Sequence, residues 1–296
     1  MTSPHDIWDD FSGKIANIVL SQRATKDFSN SELKRICEQE KLSKELGYDQ
    51  KYMCSFNNMF FNDIRNGNTI YYGFIKSNIK EMMMQIVLKK NRAYQCLIMD
   101  AYEKFEDAIE NIYAYLGKND INFWPLHEYG NKKYNEINTL DFSFYLSQAE
   151  KRKNGAIGIA KLLIDRFNQN IESDGITLKN KLIVVEKIRH IIVHKGGIVE
   201  DKGKFIELIS KECGLHNNGV SNKTLKIYIE YFFGGGEYSN MINLIEEQVK
   251  IPVPILVERS RFEWLLNSML NCVFILCQES EEYIETINNS TDVISR

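Results

Sequence analysis

The segment from residue 182 to 194 constrains the fold most, because it predicts a helix that is apolar on nearly every side. A helical wheel places five β-branched residues on one arc: Val184, Val185, Ile188, Ile191 and Ile192. Three further apolar residues intrude on the opposite arc: Leu182, Ile183 and Val193. We therefore expect this helix to be largely buried in the core.

Ionisable side chains interrupt this apolar helix, and four of them lie on the same side: Glu186, Arg189, His190 and His194. At about 100° per residue they share one arc of roughly 140°. The segment ends at a pair of glycines, Gly196 and Gly197, which is typical of a helix C-terminus. Inside a buried helix, an arginine and two imidazoles need partners or a ligand.

This pattern resembles the signature of the HEPN superfamily. Arg189 and His194 are separated by four residues, the polar His190 directly follows the arginine, and Gly196 lies close after the histidine. The resemblance implies a helical bundle over about residues 75 to 290, although only residues 186 to 197 carry identifiable motif positions. It also implies metal-independent cleavage of RNA, leaving a 2′,3′-cyclic phosphate and a 5′-OH. Toxins and phage-defence effectors of this superfamily act on tRNA or mRNA.

The same residues suit phosphodiester chemistry without reference to any family. An imidazole titrates near pH 6.5, so His194 can exchange a proton with a nucleophile or a leaving oxygen. Arg189 offers a fork of donors to phosphate oxygens. No carboxylate cluster of the two-metal type is visible in the sequence, which favours attack by the RNA 2′-OH. We predict catalytic roles for Arg189 and His194, with His190 orienting them or holding phosphate and Glu186 pairing with Arg189.

The direction of the two principal side chains predicts an assembly. Arg189 and His194 point about 140° apart, so one copy of the helix does not easily bring both to a single phosphate. Two antiparallel copies of the helix do so if it lies near the two-fold axis of a homodimer. HEPN proteins commonly form such composite clefts. The resemblance also suggests an antitoxin or another defence-system protein as a partner.

Three other interpretations remain open. In the first, Glu186 and Arg189 form an ion pair and the two histidines are hydrogen-bonded core residues. In the second, His190 and His194 share a zinc ion; Glu186 lies about 12 Å along the axis from His194, so the third ligand must come from another helix. In the third, the chain is a non-catalytic helical module that binds RNA, a nucleotide or a partner protein.

Composition favours long helices, because the 296 residues are 44% hydrophobic and include only four prolines and 17 glycines. We predict an all-α fold: an up-down bundle of four to five long helices with a small β-hairpin insertion. Residues 1–74 are expected to form a helical and aromatic extension, and residues 75–296 the bundle. The predicted helices are 7–20, 30–46, 75–116, 140–167, 178–194, 204–213 and 255–287, and the best predicted strand is 224–233.

The net charge of −3 gives no general attraction for nucleic acid, so any RNA contact requires local basic patches. The candidates are residues 89–92, residues 151–153 and Lys195. The six cysteines have no zinc-module spacing, and no cofactor motif is present. No signal-peptide pattern or uninterrupted run of 18 apolar residues occurs, so we expect a cytoplasmic protein without a membrane segment.

Overall fold

The computed structural model describes residues 3–47, 54–130, 132–137, 139–153, 155–217, 219–249 and 257–294. The helices are α1 (Pro4–Glu45), α2 (Ile79–Asn119), α3 (Tyr134–Ile137), α4 (Phe142–Glu150), α5 (Gly155–Arg166), α6 (Leu178–Lys195), α7 (Lys202–Glu212), α8 (Lys223–Glu230) and α9 (Arg261–Ile294). Four antiparallel pairs of strands accompany them: β1 (Cys54–Asn62) with β2 (Thr69–Asn78), β3 (Glu172–Ser173) with β4 (Ile176–Thr177), β5 (His216–Asn217) with β6 (Val220–Ser221), and β7 (Glu246–Val249) with β8 (Val257–Ser260). The predicted mainly helical character is confirmed.

Two compact units divide the chain. One combines the N-terminal residues up to Val19 with the chain from Gln95 onward, and the other comprises Leu20–Tyr94. Both divisions fall inside continuous helices, the first in α1 and the second in α2. This explains why no Pro-, Gly- or Ser-rich linker marks them in the sequence. The division predicted between residues 74 and 75 falls inside β2.

The long helices extend further than their apolar patterns predict. α1 is one helix through the polar residues 21–29, where a break was expected. α2 continues to Asn119, past the stop predicted at Gly117. A β-carbon at Gly117 would lie 2.3 Å from the Trp124 ring, so this glycine makes room for the indole. Conversely, the single helix predicted over residues 140–167 is two helices, α4 and α5, and Gly155 at the start of α5 has φ 56°.

The strand predicted at residues 224–233 is wrong, because this segment forms α8. Its N-terminus is capped by Asn222, whose side-chain oxygen accepts a hydrogen bond from the backbone NH of Leu225 at 3.1 Å. Leu225, Tyr228 and Ile229 are buried at helical spacing. This cap and this packing outweigh the β-propensity of the sequence. The glycines after it lead into a 3₁₀ turn, Gly236–Tyr238, rather than a hairpin.

The aromatic part of the N-terminal extension, for which no helix or strand was predicted, forms the longest of the described strand pairs, β1 with β2. Large apolar side chains on this hairpin are exposed, including Phe60, Phe61, Tyr71 and Tyr72. The rings of Phe60 and Tyr71 lie 6.2 Å apart across the strands, an aromatic pair that supports the register. None of the described helices is both long enough and apolar enough to span a bilayer.

α6 lies in the core of the unit that contains the C-terminal part of the chain, as predicted. Eight of its side chains are buried: Leu178, Leu182, Ile183, Val184, Val185, Ile188, Ile191 and Ile192. It contacts α5, α7 and α9. Thr177 caps its N-terminus, and Gly196, with φ 60° and ψ 24°, ends it in the left-handed conformation that favours glycine. The helix therefore presents its few ionisable groups from a fixed position.

Candidate functional site

Arg189 is the most unusual side chain of α6. Its guanidinium carbon lies 5.1 Å from the centre of the Tyr102 ring on α2. Its Nε atom is buried and has no hydrogen-bond partner among the described residues. A buried donor without a partner costs about 1–3 kcal/mol, so a group of this kind is a candidate for binding a hydrogen-bond acceptor.

The ion pair expected between Glu186 and Arg189 is not what the structure shows. The Glu186 carboxylate instead lies 3.4 Å from the Nζ of Lys187, which also pairs with Glu212 at 2.9 Å. The Arg189 guanidinium lies over the Tyr102 ring instead. Its described neighbour is therefore an aromatic ring, in a cation–π arrangement, rather than the Glu186 carboxylate.

Two residues of α2 that the sequence analysis missed, Tyr102 and Glu106, complete the surroundings of Arg189. Burial raises the pKa of Glu106, and the positive charge of Arg189 acts in the opposite direction. Burial, with the nearby charges of Glu106 and Glu186, also holds the pKa of Tyr102 well above its ordinary value. Tyr102 is therefore a protonated donor at neutral pH. Their spacing of four residues, which places both on one face of α2, is the signal that could have revealed them.

His190 and His194 form a pair on the exposed side of α6. Their ring centres are 4.4 Å apart with an angle of 49° between the planes, and both side chains are exposed. Partial burial lowers the pKa of His190, with further lowering by His194, Lys187 and Arg189. His190 is thus neutral at physiological pH and able to accept a proton. The expectation that these residues are buried core histidines is wrong.

The four predicted site residues do not converge on one point. Arg189 is half-buried against α2, whereas His190 and His194 are exposed on another side of the same helix. This separation follows from the angle of about 140° between positions 189 and 194 on a helix. Within one chain, the structure brings the two imidazoles together and holds the guanidinium apart from them.

A metal centre needs more ligands than this part of one chain supplies. His190 and His194 are close enough to act together, but three or more His, Cys, Asp or Glu side chains with a suitable arrangement do not occur among the described residues. A zinc site of the structural kind needs four ligands, and a catalytic one needs three from the protein. The zinc hypothesis thus lacks its third ligand in the described part of the chain.

The two glycines that end α6 fix the position of the site. Gly197 has φ 81°, and a β-carbon there would lie 2.5 Å from Nε2 of Gln95. The same amide nitrogen donates to the carbonyl of Ile242 at 2.8 Å, and the backbone NH of Ile242 donates to the carbonyl of Gly197 at 2.8 Å. Position 197 therefore requires glycine for two reasons: its positive φ, and the close approach of the Gln95 side chain to its backbone.

Two of the predicted basic patches are partly neutralised. Arg152 lies 2.7 Å from a carboxylate oxygen of Glu128 and also donates to the hydroxyl of Tyr113. Lys195, directly after His194, pairs with Glu200 at 2.9 Å. The pair of Lys195 is exposed, so an anion can compete for it at little cost. Arg152, whose side chain is largely covered, is a structural residue instead.

Comparison of the chain with protein-family models, with curated proteins and with solved structures gives no significant match. The geometry of α6 and α2 is thus the basis for assigning a function. The features to be explained are the guanidinium nitrogen without a partner among the described residues, the exposed pair of imidazoles, and the tyrosine ring beneath the guanidinium.

Proposed function

We propose that this protein is a metal-independent endoribonuclease of the HEPN type, in which Arg189 and His194 are the principal catalytic residues. The observation that carries the proposal is the Nε of Arg189, buried without a hydrogen-bond partner in the described part of the chain, on the helix that also displays two adjacent imidazoles. A phosphodiester group supplies the acceptor that this guanidinium lacks. The resemblance of residues 186–197 to the HEPN signature supports the same assignment.

The reaction begins at the ribose 2′-OH next to the cleaved phosphate. As the 2′-oxygen bonds to phosphorus, an imidazole takes its proton, and the bond to the 5′-oxygen breaks. The leaving 5′-oxygen receives a proton from the second imidazole or from water, so the products are a 2′,3′-cyclic phosphate and a 5′-OH. Arg189 stabilises the charge on the phosphate oxygens. The lowered pKa of His190 keeps its imidazole in the neutral form, which is the form that accepts a proton.

A homodimer resolves the separation between the guanidinium and the imidazoles. Val193 and Ile198, on either side of His194 in sequence, are exposed to 43% and 53%. Apolar exposure beside the imidazole pair favours a second copy of the chain at this position. In such a dimer, Arg189 of one protomer approaches His194 of its partner, and the helices form the up-down bundle expected for the family.

The biological setting follows from the same resemblance. A toxin or antiphage effector that cleaves tRNA or mRNA acts in the cytoplasm and is restrained by an antitoxin or another defence-system protein. The exposed β1–β2 hairpin, with Phe60 and Tyr71 on its surface, is available to such a partner. The net charge of −3 implies that RNA is held by local contacts rather than by long-range attraction.

A second candidate function is a non-catalytic helical module that binds RNA, a nucleotide or a protein. It is favoured by the position of Arg189, because a guanidinium that lies over Tyr102 and attracts the charge of Glu106 also anchors α6 to α2 without any ligand. In that case, substitution of Arg189 affects the stability of the protein rather than its chemistry.

Incubation of the purified protein with total RNA in the presence of EDTA tests the proposal. We expect cleavage that survives EDTA, with 2′,3′-cyclic phosphate and 5′-OH ends. A substrate carrying 2′-deoxyribose at the cut position should be inert, because it has no nucleophile. Cleavage of the deoxy substrate or products with a 5′-phosphate would exclude the mechanism, and the absence of any cleavage would favour the non-catalytic module.

A further inference from the structure

A cavity of about 320 Å³ lies at the opposite end of α6 from Arg189, between this helix, α8 and α9. Its wall includes Tyr228, Trp264 and Lys181, together with two side-chain amides of α9. The volume is at the lower end of the range for small-ligand sites in proteins. An aromatic wall with a few polar groups is typical of a pocket for a flat polar ring.

The aromatic part of the wall is a stacked pair of rings. The centres of Tyr228 and Trp264 are 5.8 Å apart, with 24° between the planes. Tyr228 is buried and Trp264 is half-buried, so part of the indole remains open to the cavity. Burial raises the pKa of Tyr228 to about 12, against a hydrogen bond with Ser268, so its hydroxyl stays protonated. A planar ligand can extend this stack over the indole.

The ammonium group of Lys181, the cation among the described residues that line the cavity, is paired with a carboxylate. The side chain of Lys181 is only 12% exposed, and its Nζ lies 3.6 Å from Oδ2 of Asp174. It also donates to the hydroxyl of Ser173 and lies 5.9 Å from the centre of the Tyr228 ring. Because this charge is paired, the cavity offers little attraction to a free phosphate and favours an uncharged ring.

The hydrogen-bonding part of the wall consists of Asn267 and Asn271, one helical turn apart on α9 and both exposed. The amide nitrogen of Asn271 donates to the backbone carbonyl of Asn267 at 2.7 Å. The amide of Asn267 itself makes no hydrogen bond within the described part of the chain. An asparagine amide places a donor beside an acceptor, and this arrangement matches the edge of a nucleobase.

We propose that this cavity binds a single unstacked nucleobase, with the ring on Trp264 and its polar edge on Asn267 and Asn271. The choice of a nucleobase among flat heterocycles rests on the proposed ribonuclease function. Lys181 precedes Arg189 by eight residues, about 12 Å along the axis of α6, a distance that a short single strand of RNA can bridge. The base comes either from such a strand or from a free nucleoside or nucleotide.

Quenching of the tryptophan fluorescence of the protein, to which Trp8 and Trp124 also contribute, measures binding, and the Trp264→Phe variant shows which part of the signal comes from the cavity. The probes are the four ribonucleosides, their 5′-monophosphates and a single-stranded 2′-O-methyl hexanucleotide, which cannot be cleaved. We expect saturable quenching with at least one nucleoside, and its loss in Trp264→Phe. The double substitution Asn267→Ala/Asn271→Ala should weaken binding about tenfold, or roughly 1.4 kcal/mol. Gln278→Ala, at an exposed position further along α9, is the matched control and should leave the affinity unchanged.

The probes also distinguish the two sources of the base. Tighter binding of the hexanucleotide than of any nucleoside identifies RNA as the source, and binding of nucleosides alone identifies a free ligand. Three results overturn the proposal: no saturable binding by any probe, full affinity in the double variant, or monophosphates that bind more than about tenfold tighter than nucleosides, since phosphate would then dominate.

The result does not depend on the proposed catalysis, because Arg189→Ala protein serves equally well for these titrations. A protein that binds nucleosides but cleaves no RNA would contradict the proposed function and leave the base pocket intact. A protein that cleaves RNA but binds no probe at this cavity would contradict the pocket alone. Circular dichroism should show that Trp264→Phe and the double variant each retain the helix content of the wild type.

Discussion

Two basic side chains of α6, Lys181 and Arg189, have different surroundings. Lys181, in the N-terminal part of the helix, is paired with Asp174 and lies 5.9 Å from the centre of the Tyr228 ring. Arg189, in the C-terminal part, lies over the Tyr102 ring, but its Nε has no hydrogen-bond partner among the described residues. A cationic side chain on an apolar helix can thus be neutralised by a neighbouring carboxylate, or it can retain a hydrogen-bond donor without an acceptor. The N-terminal part suits an uncharged base, and the C-terminal part suits a phosphate.

The largest expected effect is the loss of cleavage at the Arg189 end. Arg189→Ala and His194→Ala should each reduce the rate by at least about 10³-fold, because one removes stabilisation of the phosphate and the other a proton-transfer group. Melting temperature and helicity should remain near those of the wild type. Arg23→Ala and His127→Ala, at exposed positions, are the matched controls. If both site variants were largely unfolded and the fraction that remained folded still cleaved RNA, Arg189 and His194 would have a structural role instead.

A mixture of the two inactive proteins tests whether the site is composite. Random pairing makes about half of the dimers Arg189→Ala/His194→Ala heterodimers, each with one intact cleft, so about a quarter of the wild-type activity should return. Light scattering should show a dimer at the assay concentration. An active monomer would exclude the composite site and require both groups to act from one helix.

Stability is expected to depend unequally on the two glycines that end α6. Gly197→Ala combines a positive φ with a β-carbon 2.5 Å from Gln95, and we expect a loss of about 2–4 kcal/mol in the free energy of unfolding. Gly196→Ala has the same backbone strain but open space around it, so about 1 kcal/mol is expected. Urea denaturation of both variants measures the difference. Equal losses would mean that Gln95 moves aside and that close packing does not position this end of the helix.

The smallest expected effect concerns Glu110, one turn beyond Glu106 on α2. Burial, followed by the charges of Glu106, Glu150 and Asp107, raises the pKa of Glu110 to about 7. Since the pKa is raised in the folded state, the stabilising contribution is full below pH 4.5 and is lost as pH rises through about 7. At pH 8 the free energy of unfolding of Glu110→Gln should therefore exceed that of the wild type by about 1 kcal/mol after allowance for solvent screening, which corresponds to a melting temperature roughly 2–4 °C higher. This difference should vanish at low pH.

Glu282→Gln is the control for this pH dependence, because Glu282 is an exposed glutamate on α9. Its melting temperature should follow that of the wild type across the same range. A Glu110→Gln protein with the same pH profile as the wild type would show that solvent reaches the carboxylate freely. The Arg189 side of α6 would then be less enclosed than its burial implies.

The sequence pattern is sufficient where one element carries a complete local signal. α6 begins at Leu178 and ends at Lys195, close to the predicted residues 178–194, because a threonine cap, an apolar repeat and a glycine stop agree. α8 shows the opposite case. Its alternating β-branched residues predict a strand, but the cap from Asn222 and the burial of Leu225 and Ile229 make it a helix. Local propensity is weak compared with packing.

The sequence by itself determined that α6 is a buried helix and that Arg189, His190 and His194 interrupt it. Both conclusions follow from residue types and the helical period. The partners of these side chains were decided only by the tertiary structure. Tyr102 lies beneath Arg189 because α2 passes this part of α6, and Lys187 pairs with Glu212 because α7 does so as well. Contacts between residues far apart in the chain depend on how helices pack, and no single-helix pattern encodes that packing.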